Sequence, residues 1–74
     1  MSTETRNKLD YIVVCVSEFA NRYQLSLKDA YFYLRQHMGI QFLQEFYDVE
    51  HTLSFDDVVD DLTRVCARNG GMLA

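Results

Sequence analysis

The chain has 74 residues, 49% of them hydrophobic, and no proline, which describes one small domain with apolar material for a core and excludes a disordered chain. Its formal charge is −4, from eleven acids against seven scattered bases, which excludes the basic stripe of a usual nucleic-acid binder. A core of this size leaves roughly 3–5 kcal/mol of net stability, so self-association would be a natural supplement.

The first ten residues, MSTETRNKLD, are polar and lack the apolar region of a signal peptide; the run that follows, YIVVCV, is too short to span a bilayer. A soluble cytoplasmic protein with no membrane contact is the expectation. YIVVCV alone has the β-branched content of a strand. The wider pattern overrides it, because Leu9, Ile12, Val13, Val16, Phe19, Ala20 and Tyr23 recur at steps of three and four. That spacing predicts a helix over 5–23. Cys15, within it, and Cys66, far downstream, have no CxxC spacing and read as free thiols acting as small hydrophobes.

The stretch LSLKD predicts the next helix start, with Ser26 as N-cap and Asp29 as its capping-box partner three residues on. This helix is expected over 27–37, with Leu27, Ala30, Tyr31, Leu34 and Met38 on its inner face and Gly39 as its left-handed stop. A third helix is expected over 40–51. LSFDD then repeats the capping device with Ser54 and Asp57, opening a fourth helix over 55–68. Phe55, Val58, Val59, Leu62, Val65 and Cys66 form its apolar stripe, and Asn69 and Gly70 close it. With 1–4 and 70–74 frayed, the expected fold is all-α: a single, compact four-helix domain.

The stretch FYDVEHTLSFDDVVDDL concentrates six acids and a histidine around the joint of the last two helices. Asp56 and Asp57 belong to a first helical turn, where negative charge meets the positive end of the helix dipole. Asp60 stands four residues before Arg64, the spacing of an exposed pair, and Asp61 falls on the solvent side. Asp48 and His51, three apart, can approach on one helical face. An acid-x-x-His step occurs in di-iron bundles, but those carry two such steps and further glutamates. The structural reading is that His51 shares a face with Ile40, Leu43 and Tyr47, part-buried and hydrogen-bonded to a neighbour, while Thr52 helps end the helix. No cofactor or metal is expected.

More apolar surface is present than four inner faces need. The third helix carries two stripes, one through Ile40, Leu43, Tyr47 and His51 and a second through Phe42, Phe46, Val49 and Leu53. Tyr11 and Val14 on the first helix, with Phe32 and Tyr33 on the second, lie off the expected inner faces and are the candidate interface, since aromatics are enriched in interface cores. A DNA-binding helix-turn-helix has the same outline over the second and third helices. Its recognition helix would be IQFLQEFYDV, which has no Arg or Lys and has acids in it, a poor reader of bases and phosphates.

From EFYDVEHT and the LSFDDVVDDL that follows, the chain resembles a family of short bacterial proteins, the domain-of-unknown-function family 3791. The positions that carry the resemblance are Leu25 and Ser26; Tyr47, Asp48, His51 and Thr52; and Val59, Asp61 and Leu62, with the Ser54 cap between. The resemblance runs from about Lys8 to Arg68. It implies a small all-α fold with no established activity. Its members often stand beside proteins resembling ADP-ribosyltransferases, which implies an accessory or antitoxin-like partner. The family favours glycine or a charged residue after the LS step, where this chain has Leu27, so the surface near the second helix differs.

The functional expectation is a non-enzymatic helical interaction module, self-associating as a homodimer or binding another protein, without nucleic acid. The alternative is a small metal-dependent or acid–base enzyme centred on Asp48 and His51, followed by a DNA-binding regulator.

Overall fold

The first helix carries the architecture. In the computed structural model, which describes residues 3–72 apart from the Glu4 side chain, α1 (Thr3–Tyr23) lies against both α2 (Leu27–Gln36) and α5 (Phe55–Arg68). Between these, α3 (Gly39–Glu45) packs on α2 and α5, and the single turn α4 (Tyr47–Glu50) leads into the α5 cap. No strand occurs among the described residues. The radius of gyration is 11.5 Å, against about 11 Å for a compact chain of this length. The all-α domain expected from the periodicity is the one observed. Of the frayed ends expected, residues 1, 2, 73 and 74 lie outside the described residues; α1 is already helical from Thr3, and Gly70 and Gly71 form the turn that closes α5.

Both serine caps form. Ser26 Oγ accepts the Asp29 N–H at 3.1 Å and Ser54 Oγ accepts the Asp57 N–H at 3.2 Å, each filling an orphan donor of a first turn. At the other ends the chain turns left-handed. Gln24 takes φ 58° and Gly70 φ 87°, and each is followed by a six-to-one bond, Leu25 N–H to the Ala20 carbonyl (2.9 Å) and Gly71 N–H to the Cys66 carbonyl (2.8 Å). This is the Schellman closure.

The α2–α3 corner departs from expectation. Its left-handed residue is Met38 (φ 72°), and Gly39 is instead the first residue of α3. Close approach accounts for the glycine: a Cβ there would sit 2.7 Å from Leu34 Cδ2 and 3.2 Å from the Leu34 carbonyl oxygen.

The expected third helix is two pieces. Phe46, at φ −108° and ψ 22°, leaves helical geometry although hydrogen bonding continues on both sides of it, from Phe46 N–H to Phe42 and from Glu50 N–H to Phe46. No glycine or proline marks this break. Beyond it, Thr52 Oγ1 donates to the Val49 carbonyl at 2.6 Å, ending α4 as its type suggested.

The core is centred on fully buried Phe19, with Leu34, Leu43, Val58 and Leu62 around it. Tyr33 stacks on Phe19 (ring centroids 5.8 Å, 22°) and Tyr23 lies tilted against it at 4.8 Å. The Tyr23 hydroxyl donates to Thr63 Oγ1 at 2.6 Å, which in turn donates to the Val59 carbonyl, so a polar relay joins the end of α1 to α5. Cys15 and Cys66 are free, fully buried thiols, and burial raises the pKa of each to about 11.

Candidate interaction surface

The inner face of α1 is rotated from the one periodicity chose. Cys15, Phe19 and Ala20 are buried with Ile12 and Val16, whereas Leu9 and Val13 are exposed, Val13 by 63%. On α2, Ala30 and Leu34 are buried and Tyr33 packs on the core, while Leu27 (57% exposed), Tyr31 and Met38 face outward. YIVVCV is apolar around most of the helix, so its own periodicity leaves several sides able to dock, and the packed side is one that stacks Phe19 on Tyr33.

The displaced residues meet. Leu9 and Val13 of α1 and Leu27 and Tyr31 of α2 form the walls of an open apolar groove of about 450 Å³, floored by Ile12 and Val16. Ile40 and Gln44 of α3 also line it. Lys28 lines the rim and Arg35 borders the adjoining depression beside Tyr31; neither makes an ion pair among the described residues.

The four candidate interface residues divide. Val14 and Phe32 are exposed, Phe32 edge-on to Tyr31 at 5.8 Å. The rings of Tyr11 and Tyr33 are packed against the core rather than presented outward: Tyr11 meets Tyr47 at 5.3 Å and Phe55 at 6.3 Å, and Tyr33 lies between Phe19 and His37. Both tyrosines sit beside buried positions of their helices, which the rotation of α1 and α2 brought inward.

Asp48 and His51 are both exposed, and no ion pair joins them among the described residues. The part-buried position expected for His51 is not observed, because the break at Phe46 interrupts the stripe it was assigned to. Its Nδ1–H donates to the Tyr47 carbonyl at 2.7 Å and its ring stacks on Tyr47 (4.7 Å, 11°), so it finishes the turn of its own helix. Among the described residues no three His, Cys, Asp or Glu side chains gather as a metal site would need.

The ion pairs also differ from the local pattern. Arg64 pairs with Asp61 at 2.6 Å, three residues away, and Asp60 instead meets Arg22 of α1. Arg22 also donates to the Asp56 carbonyl at 3.1 Å, so one guanidinium clamps the end of α1 to the start of α5. Asp61 is part-buried rather than on the solvent side.

What sequence reasoning missed is Glu50. It is buried to 4% exposure, with Oε1 lacking any hydrogen-bond partner. Loss of solvent, then a hydrogen bond and charge repulsion from Asp61, raise its pKa to about 7, against a smaller opposing pull from Arg64. Below that pH its carboxyl is protonated and donates toward Asp61 rather than standing as a second anion beside it. Tyr11 and Cys15 of α1 face the same region, and the Tyr11 hydroxyl is buried beside Cys15. The available signal was spacing: Glu50 stands seven residues after Leu43 and three after Tyr47, on the inward side.

No helix among the described residues is long and apolar enough to cross a membrane. The chain matches no curated protein and no solved structure. A family profile described as "Protein of unknown function (DUF3791)" matches residues 10–69, which takes in the last two-thirds of α1, both serine caps and all of α5. Over most of its length, then, this chain belongs to the DUF3791 family of proteins of unknown function.

Proposed function

We propose that this protein is a non-enzymatic helical interaction module whose working surface is the apolar groove between α1 and α2. The observation that carries this reading is convergence. Leu9, Val13, Leu27 and Tyr31 are large, exposed and gathered from two helices onto one cleft, whereas isolated surface apolar residues need no explanation. Grooves of this form take an amphipathic helix or ridge through anchors at three- and four-residue steps. The occupant is a protein rather than nucleic acid, because α3, where a recognition helix would stand, carries no Lys or Arg.

A photo-crosslinking amino acid placed at Val13 in the native cells tests this, with Ala67, exposed on α5, as the control position. A discrete adduct from position 13 and none from position 67 is expected. Equal or absent crosslinking at both would overturn the reading. The mass gained tells a second copy of the 8.7 kDa chain from a different protein.

A further inference from the structure

Of the second apolar stripe of the α3–α4 region, Phe42 packs against the core and the other three residues stay uncovered. Phe46, Val49 and Leu53 are all exposed, Val49 by 60%, at steps of three and four. The acids beside them, Glu45 and Asp48, are exposed and make no ion pair among the described residues. This is an apolar ridge with acidic flanks, and the α1–α2 groove is an apolar cleft with Lys28 in its lining and Arg35 on the adjoining depression beyond Tyr31.

We infer that the groove receives the Phe46–Val49–Leu53 ridge of a second copy of this chain, with Glu45 and Asp48 set against Lys28 and Arg35. The inference rests on the interaction-module reading and names the occupant. Charge complementarity favours this arrangement over groove on groove, which would bring the unpaired basic rims together without their acids. Ridge and groove are different surfaces, so the contact is head to tail. Each bound copy leaves a free groove at one end and a free ridge at the other, and association proceeds past the dimer unless a ring closes. Opposed charges at an exposed rim make the contact weaken as salt rises.

Complementation of two variants tests it by sedimentation. The groove variant is Val13→Glu with Leu27→Glu, and the ridge variant is Phe46→Lys with Val49→Lys. All four positions are exposed, and circular dichroism verifies that each variant folds. The parent is expected to rise above twice the 8.7 kDa chain mass at high concentration and low salt. Each variant alone is expected to remain monomeric, while their equimolar mixture forms a single 1:1 dimer from the intact ridge of one and intact groove of the other. A mixture that stays monomeric, a ridge variant that still dimerises alone, or a parent monomeric at all concentrations overturns the inference. A position-13 crosslink to a different protein would sustain the module reading while this one fails, so the two are separable.

Discussion

Burying Glu50 makes the stability of this domain depend on pH in a direction opposite to that of a salt-bridged carboxylate. In the unfolded chain its pKa is the ordinary 4.5; in the folded chain it is raised to about 7. Below pH 4.5 the group is protonated in both states and has no differential effect. Above that, the unfolded chain releases the proton first, so stability falls as pH rises through the window between the two values and levels off beyond it. A separation of two to three pH units corresponds to roughly 3 kcal/mol, comparable to the whole net stability of so small a core. Glu50→Gln keeps the shape, removes the ionisation and retains an N–H donor for Asp61. Urea unfolding followed by circular dichroism should therefore show the variant about 3 kcal/mol more stable than the parent at pH 8 and nearly equal to it at pH 4.5. A difference between variant and parent that is constant across this range would refute the argument, because it would mean that Glu50 ionises as freely in the folded chain as in the unfolded one.

Three further outcomes follow from the packing. Gly39→Ala forces a Cβ into Leu34 and should cost about 1–3 kcal/mol, read as a lower urea midpoint; an unchanged midpoint would mean the corner has slack. His51→Ala and Asp60→Ala remove one exposed capping bond and one exposed ion pair, and each should cost no more than about 1 kcal/mol in thermal melts; a loss well beyond that at His51 would show its ring to be buried. With both thiols buried and their pKa raised to about 11, only about one in ten thousand is ionised at pH 7, so Cys15 and Cys66 should alkylate slowly until urea unfolds the chain. Rapid labelling of folded protein would contradict that burial.

The parts of this fold written in local chemistry were legible, and the parts decided by distant contacts were not. Ser26 and Ser54 declare their helices through a bond three residues long, and the stripe of α5 contains all four of its buried residues, Val58, Val59, Leu62 and Cys66. The docking side of α1 was not legible, because a helix apolar on several faces leaves the choice to its neighbours. Asp60 has Arg64 at the right local spacing, yet it takes Arg22, thirty-eight residues away. Phe46 breaks a helix without any residue that ordinarily does so. These same failures define the candidate surface: the rotation of α1 and α2 exposes the groove, and the break at Phe46 separates the ridge from the core stripe and turns Glu50 inward.

The claim that something covers the groove is tested most directly by thiol accessibility in the native cells. Val13→Cys places a reactive thiol at a 63% exposed position, Ala67→Cys provides an exposed control on α5, and the two native thiols are too buried to interfere. In dilute purified protein both engineered thiols should label rapidly. In intact cells the thiol at position 13 should label several-fold more slowly than the control. Equal labelling rates at the two positions inside the cell would show the groove to be open to solvent where the protein works, contradicting the account.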